Sequence, residues 1–258
     1  MASGNNFIAL LIGASDQIIG VLPGGDQQTI SDNDFAYDIG ISEDGTIWVI
    51  STQADPVNGG AIIYWGMGDG NWNKVQKPTQ EAMKIFGTTA GTCIYLGEDG
   101  NVVQLNTAGA SNTLITGSLI IDMDYGGGYY WAVMPSEPGD IPSLFYAKVA
   151  PALVWQNFKG APDPTSVTVD YEGNGYGVVG YTVMFYDKDG STSGVYALGA
   201  DGVVLQVSCK NWSYALSTKA TEQGNEVLTW ADENGGMWVG TNLYAFKVLA
   251  TYYLSNEA

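Results

Sequence analysis

Apolar and polar residues alternate along most of this chain, in runs of four to eight residues separated by clusters of Gly, Pro, Asn and Asp. Alternation with a period of two is typical of β-strands, and Asp-Gly or Asn-Gly between two such runs favours a tight hairpin turn. Helical periodicity is confined to one short stretch, residues 78–84. The pattern therefore predicts an all-β protein, with hairpin turns at Asp44-Gly45, Gly127-Gly128, Asn174-Gly175 and Asn234-Gly235.

The predicted strands, about two dozen, group into units of roughly four. A unit of about 43 residues has the length of a β-propeller blade. The first unit is one strand short, and the C-terminal run Val248–Leu254 could complete it, which would leave no open sheet edge. We predict a single domain, residues 1–258, folded as a β-propeller of about six four-stranded blades closed by N- and C-terminal strands; five or seven blades are the alternatives. The predicted units are 5–31, 35–80, 82–117, 119–164, 166–222 and 226–258.

Charge narrows the range of partners. The chain has nine basic and 27 acidic residues and a formal net charge of -18. Such a surface repels phosphate backbones and anionic lipid, so neither nucleic acid nor membrane insertion is expected. No apolar run approaches the length of a membrane helix, and the N-terminus lacks the basic segment of a signal peptide. These features predict a cytoplasmic protein, or one secreted without a signal peptide.

The absence of histidine excludes Ser-His-Asp and Cys-His catalysis and histidine-ligated zinc. Cys93 and Cys209 are far apart in the sequence and form no metal-binding motif, so we interpret both as small buried hydrophobic residues. We expect no metal and no cofactor.

Residues 36–80 contain the segments Ala36–Ile50, Gly59–Gly66 and Asn71–Val75, in that order. The first is an alternating strand pair around Asp44-Gly45, the second an Ile-Tyr strand and the third a Trp-x-x-Val strand. Together they resemble one tectonin repeat; the units at 119–164 and 166–222 lack the Trp-x-x-Val ending. The resemblance implies a propeller and, because several proteins of that group are lectins, binding of glycans on glycoproteins or glycolipids. Oligomers are common among lectins, so an oligomer is possible.

Aromatic side chains next to polar loops are the candidate sugar-binding residues. Sugar C–H groups stack on aromatic faces, while the hydroxyl groups form hydrogen bonds with Asn, Asp and backbone groups. Trp48, Trp131 and Trp238 lie in apolar strands, each on the second strand of a predicted hairpin, and are expected in the core. Loops 55–60, 66–72 and 136–142 are the regions to test, with the predicted ligand-binding residues Asp55, Asn58, Tyr64, Asp69, Asn71, Trp72 and Tyr130.

Four carboxylates near strand ends support an alternative function: Asp38, Asp122, Asp124 and Asp170. Strand alternation places Asp122 and Asp124 on one face of their strand. Two acids across a cleft could serve a glycoside hydrolase or lyase, although lining a water-filled channel is the simpler interpretation. The sequence thus predicts a non-catalytic carbohydrate-binding protein. A protein-interaction module, and an enzyme that uses these carboxylates, are the alternatives.

Overall fold

The protein is all-β. The computed structural model describes residues 6–57, 59–75, 82–135, 137–149, 153–159, 164–180, 182–189, 193–196, 204–231 and 237–252. These residues form 24 strands, and none of the described segments is an apolar helix long enough to cross a membrane.

The strands form six antiparallel sheets of four strands each. The chain is therefore a β-propeller of six four-stranded blades, as the alternating pattern predicted. Three sheets are β4-β5-β6-β7, β8-β9-β10-β11 and β24-β1-β2-β3, so the C-terminal strand completes the first blade. Their strands are β1 (Ala9–Ile12), β2 (Ile18–Val21), β3 (Gln27–Thr29), β4 (Ala36–Ile41), β5 (Ile47–Ala54), β6 (Ala61–Gly66), β7 (Asn73–Lys74), β8 (Ala82–Gly87), β9 (Thr92–Gly97), β10 (Val102–Asn106), β11 (Ser111–Ile115) and β24 (Lys247–Ala250).

The other three sheets follow the chain without a crossover, in the orders β12-β13-β14-β15, β16-β17-β18-β19 and β20-β21-β22-β23. Their strands are β12 (Asp122–Gly126), β13 (Tyr129–Met134), β14 (Ser143–Lys148), β15 (Gln156–Asn157), β16 (Val167–Val169), β17 (Gly175–Val179), β18 (Thr182–Tyr186), β19 (Ser193–Tyr196), β20 (Val204–Cys209), β21 (Ser213–Thr221), β22 (Gly224–Ala231) and β23 (Met237–Ala245).

The chain divides into two compact units, one of residues 1–118 with 251–258 and the other of residues 119–250. In the first unit, Thr251 ties the end of the described chain to its beginning. The Thr251 amide donates a hydrogen bond to the Ile8 carbonyl, and the Thr251 hydroxyl donates one to the Phe7 carbonyl.

Two of the predicted turns agree with the turn geometry. Gly45, Gly127 and Gly128 have φ values of 84°, 53° and 80°, which glycine adopts at no steric cost. The third hairpin forms, but its turn lies two residues earlier than predicted, at Glu172-Gly173 (φ of Gly173 95°), because the Gly173 amide donates to the Asp170 carbonyl and Gly175 already begins β17. The turn predicted at Asn234-Gly235 lies outside the described residues.

Two other predictions were wrong. Within the stretch 78–84, where helical periodicity was found, residues 82–84 belong to strand β8; the rest lies outside the described residues. The predicted units 166–222 and 226–258 also misplace the blades, which comprise β16–β19 and β20–β23. The reason is that Leu198–Gly202 matches Leu96–Gly100 at four of five residues, and Leu96–Gly100 contains the turn of the β9–β10 hairpin within one sheet. Leu198–Gly202 lies outside the described residues, but it connects β19 and β20, which belong to different sheets.

Neighbouring sheets pack face to face around buried aromatic residues. Trp48, Trp131 and Trp238 each lie in a separate core cluster and are at most 2% exposed, which confirms the prediction that they pack in the core. Trp238 lies on β23, which pairs with β22 as the second strand of a hairpin, as predicted; β23 is the fourth strand of its blade, whereas Trp48 and Trp131 lie on the second strands β5 and β13. Cys93 and Cys209 are free and buried, as expected, and burial raises the pKa of both thiols.

The first strands of adjacent blades approach closely at glycines. A Cβ atom on Gly87 of β8 would lie 1.9 Å from the Ile41 carbonyl carbon of β4 and 2.2 Å from the Ser42 nitrogen. These are backbone atoms that cannot rotate away. Gly87 therefore sets the distance between the two strands.

We predict that Gly87→Ala lowers the free energy of unfolding by more than about 2 kcal/mol, since overpacking against backbone forces the strands apart. Gly13→Ala is the matched control, because its Cβ would meet only the end of the flexible Gln17 side chain. The measurement is urea unfolding followed by tryptophan fluorescence. Equal losses for the two variants would contradict the prediction.

Candidate functional site

Three partly exposed aromatic residues meet on the blade β4–β7: Phe35, Tyr64 and Trp72, here called the aromatic cluster. The Phe35 ring lies 5.2 Å from the Tyr64 ring and 5.1 Å from the Trp72 ring, both in tilted geometry. Tilted aromatic pairs at this distance are favourable, and they hold the rings in fixed orientations. The cluster therefore presents preordered aromatic surface.

A hydrogen bond from the indole N–H group fixes the orientation of the Trp72 ring. Its indole Nε1 donates a hydrogen bond of 3.0 Å to the Ile30 carbonyl. A Cβ on Gly66 would lie 3.0 Å from Trp72 Cε3, so the ring covers this glycine at the end of β6. With the N–H group occupied, a ligand can contact this indole mainly through its apolar surface.

A charged pair borders the aromatic cluster. Lys74 lies directly opposite Tyr64 in the β6–β7 pairing, and opposite residues of antiparallel strands share a face. Lys74 Nζ lies 3.2 Å from Asp55 Oδ2; the Asp55 side chain is 7% exposed and that of Lys74 42% exposed. The other Asp55 oxygen accepts a 2.9 Å hydrogen bond from the Val57 amide. Asp55 is therefore part of a turn, and Lys74 is the accessible member of the pair.

Asp69 and Asn71 are exposed but bind each other. The Asn71 amide donates to Asp69 Oδ1 at 3.0 Å and its side-chain Nδ2 to Oδ2 at 2.9 Å; these bonds lower the pKa of Asp69. The same Asp-Gly-Asn arrangement recurs at Asp99 and Asn101, with distances of 3.0 and 2.6 Å, in the β9–β10 hairpin. The repetition indicates that this motif builds turns.

Of the other predicted ligand-binding residues, Asn58 lies outside the described residues. Tyr130 was wrongly placed in a surface site: it is 5% exposed, and its ring packs 5.2 Å from that of Tyr125. Burial raises the pKa of Tyr130 to about 12. Its neighbour Tyr129 is the partly exposed residue of the two. The structure thus brings together Tyr64 and Trp72, with Asp55 beside them.

The carboxylates considered for catalysis have structural roles. Asp38 Oδ2 accepts a hydrogen bond of 2.8 Å from the Ile85 amide of the next blade, and Asp122 Oδ2 accepts one of 2.9 Å from the Val167 amide. Each carboxylate therefore supplies the acceptor for a backbone N–H on the neighbouring first strand. We call these contacts between blades the carboxylate braces.

Asp170 organises a turn instead. Its Oδ1 accepts hydrogen bonds from the Glu172 and Asn174 amides, both at 2.9 Å. Its Oδ2 lies 3.1 Å from the Asn174 side-chain nitrogen and 3.1 Å from the Tyr176 hydroxyl oxygen. Four donors fix this carboxylate within the β16–β17 hairpin.

Asp124 belongs to a buried ion pair that sequence analysis missed. Lys210, 4% exposed, donates from Nζ to Asp124 Oδ2 at 2.8 Å and to the Tyr125 and Val169 carbonyls at 2.6 and 2.9 Å. Asp124 Oδ2 also accepts from the Thr168 hydroxyl at 2.8 Å. The network joins β12, β16 and the end of β20. The only signal in the sequence was a single lysine directly after the apolar strand Val204–Cys209.

Sequence analysis also missed a shallow depression of about 200 Å³ on the blade β8–β11. Its polar lining is uncharged and comes from Thr92, Gln104, Asn106, Ser111 and Asn112. Amide and hydroxyl groups of this kind form hydrogen bonds with neutral, hydroxyl-rich ligands. Among the described residues, no cluster of three or more Asp, Glu or Cys side chains could hold a metal ion.

Comparison with solved structures shows the fold. A chain of a nidogen/laminin complex matches with a TM-score of 0.65 at 8% identity, covering 95% of this chain and 98% of that one. YCF48 bound to a D1 peptide matches with a TM-score of 0.55 at 13% identity, covering 92% and 79%. A gluconolactonase of Xanthomonas campestris matches with a TM-score of 0.57 at 10% identity, covering 82% and 77%. No protein-family model and no curated protein matches the sequence.

We predict that Lys210→Met lowers the free energy of unfolding by about 3–5 kcal/mol, because it leaves the buried Asp124 carboxylate without its counter-charge. Lys148→Met, which removes an exposed lysine beside the Tyr129 ring, is the control and is expected to cost less than about 0.5 kcal/mol.

The double variant Lys210→Met, Asp124→Asn should recover part of the loss, since both charges are then gone. Chemical denaturation of Lys210→Met, Asp124→Asn and the double variant measures this coupling. Additive losses would show that the two side chains do not act as a pair.

Proposed function

We propose that this propeller is a non-catalytic carbohydrate-binding protein related to the tectonin-type lectins, with a sugar site on the blade β4–β7. The observation that carries the proposal is the aromatic cluster, whose rings are partly exposed and held at fixed angles. Tyr64 and Trp72 lie in the segment that resembles a tectonin repeat, and Phe35 directly precedes it. Its aromatic surface suits the C–H face of a pyranose, and the Lys74 ammonium suits a hydroxyl group.

The partners of this site are glycans on glycoproteins or glycolipids. A single small site of this kind binds weakly, and a second site would add avidity. The uncharged depression beside Gln104 and Asn112 offers such a second site on the neighbouring blade. In this proposal, aromatic contact dominates at the first site and hydrogen bonding at the second.

Catalysis by the four candidate carboxylates is the weaker hypothesis. Asp38 and Asp122 accept backbone N–H groups, Asp124 is paired with Lys210, and Asp170 binds four donors. A general acid or a nucleophile needs an oxygen that can reach a substrate. These carboxylates are 6–8% exposed, and their hydrogen bonds hold the sheets together.

Protein binding is the second candidate function, because the propeller fold itself supports an interaction module. Among the similar structures, one chain belongs to a nidogen/laminin complex and another is bound to a D1 peptide. Exposed apolar side chains of the present chain also favour protein binding.

We predict that Trp72→Ala weakens sugar binding at least tenfold, a loss of about 1.4 kcal/mol, because it removes most of the stacking surface. A glycan array with the labelled protein identifies the sugar, and a titration followed by tryptophan fluorescence gives the affinity. Trp212→Ala is the matched control, since Trp212 is 38% exposed on another blade.

Binding that persists in Trp72→Ala would move the sugar site elsewhere. An array without positive glycans, together with no sugar-dependent change in fluorescence, would reject the carbohydrate proposal.

A further inference from the structure

Exposed apolar side chains recur at one position of the blades. Twelve large apolar residues are exposed among those that the structure describes. Five of the twelve lie where the first strand of a blade begins, at a position that occurs only once per blade. They are Tyr37 (61% exposed), Met83 (47%), Ile121 (46%), Leu205 (43%) and Phe246 (54%).

Hydrogen bonds between blades define this position. The residue after Tyr37, Ile121 or Leu205 accepts a backbone N–H from the next first strand: Asp38 from Ile85, Asp122 from Val167, and Gln206 from Val248 at 3.5 Å. Met83, Thr165 and Phe246 lie two residues before the donors Ile85, Val167 and Val248. They therefore occupy the same position as one another, each at the start of a first strand. The sixth member, Thr165, is exposed and polar.

Strand irregularities explain why three of these five side chains face solvent; the other two, Ile121 and Phe246, directly precede their strands. Leu205 has no partner in the β20–β21 register, since Val204 pairs with Ser217 and Gln206 already pairs with Leu216. The same shift occurs at Tyr37 and at Met83. A bulge turns one side chain out of the alternation, and bulges are frequent beside functional sites. Exposed apolar residues scattered singly need no explanation, but repetition at one bulged position does.

Within residues 119–250, three of these residues begin or directly precede first strands that contact one another in the order β12, β16, β20 and β24. We call Ile121, Leu205 and Phe246 the apolar rim. Leu205 and Phe246 stand at the start of the neighbouring strands β20 and β24, where the Val248 amide donates to the Gln206 side chain. Ile121 precedes β12, which is separated from β20 by β16.

Charge identifies the kind of partner. The whole chain has a net charge of -18, and residues 119–250 contain fourteen acidic and six basic residues. This charge repels anionic membranes, nucleic acid and a second copy of the chain, and it attracts cationic segments. Apolar contact combined with this charge fits an amphipathic peptide that is rich in lysine or arginine.

Lys247 directly follows Phe246 and is partly exposed. Burial of its ammonium group lowers the pKa of Lys247 to about 7.

We propose that the apolar rim is a docking surface for a cationic amphipathic segment of another protein, whose apolar side chains contact Leu205 and Phe246. This inference rests on the protein-binding candidate function, and it is independent of the sugar site on the blade β4–β7. The net negative charge of the chain would raise the association rate, and the rim would supply the apolar contact that retains the segment.

The test uses the full chain and a fluorescein-labelled helical peptide of leucine and lysine, followed by fluorescence anisotropy at 150 mM salt, where interactions between exposed charges are screened. The variant Leu205→Ser, Phe246→Ser should weaken binding at least fivefold. Ile141→Ser, Val154→Ser is the matched control. It removes two side chains that are 80% and 63% exposed at other positions of residues 119–250, and it should change affinity less than twofold.

Circular dichroism and thermal unfolding establish that each variant is folded, and Ile121→Ser replaces the double variant if that one is not. Equal weakening by the rim and control variants would overturn the proposal, as would equal binding of a peptide with serine in place of leucine. A dimer of the unmodified chain that the rim variant dissociates would assign the surface to self-association instead. Trp72→Ala should bind the peptide normally, which separates this result from the fate of the sugar site.

Discussion

The open edge of each blade's first strand is the constraint on which the fold depends. Such a strand pairs with the second strand on one side only, and its other edge presents backbone N–H groups to the neighbouring blade. Buried N–H groups must find acceptors, and this chain supplies them from side chains: a carboxylate at Asp38 and Asp122, an amide at Gln206 and a hydroxyl at Ser208. Hydrogen bonds to charged acceptors are worth about 1.5–3 kcal/mol each. Neighbouring blades are therefore joined by directional hydrogen bonds in addition to the packing of their apolar faces.

This constraint bears on function. Buried carboxylates are often catalytic, but in this chain they accept hydrogen bonds from backbone N–H groups or pair with Lys210. The surfaces that remain for binding lie elsewhere: the aromatic cluster, the uncharged depression and the apolar rim. Each is made of side chains that do not take part in the carboxylate braces. The proposed functions therefore depend on these exposed surfaces and not on the buried carboxylates.

Hairpin turns were largely predictable from the sequence, because they depend on a few neighbouring residues. Contacts between residues distant in the sequence were not predictable. The turns at Asp44-Gly45 and Gly127-Gly128 depend on a few neighbouring residues, and the pattern identified them. The blade boundary after β19 depends on which sheet a strand joins, and the nearly identical segments Leu96–Gly100 and Leu198–Gly202, which differ only at Glu98 and Ala200, cannot distinguish the two cases. Tyr129 and Tyr130 show the same limit at a smaller scale. Alternation predicts that one of the two rings is buried. Which ring it is depends on the register of the strand, and a shift of one residue reverses the answer.

The contacts of Thr251 with Phe7 and Ile8 have a consequence for the order of events during synthesis. Strands β1 to β3 leave the ribosome before the other strands of the propeller, yet their sheet lacks its first strand until residues 247–250 have been made. The earliest strands must therefore wait for nearly the whole chain, with an unpaired edge that is prone to misassociation. Contacts between residues so distant in sequence also slow folding. The blades whose four strands are consecutive in the chain can form earlier, which makes the first blade synthesised the last to be completed.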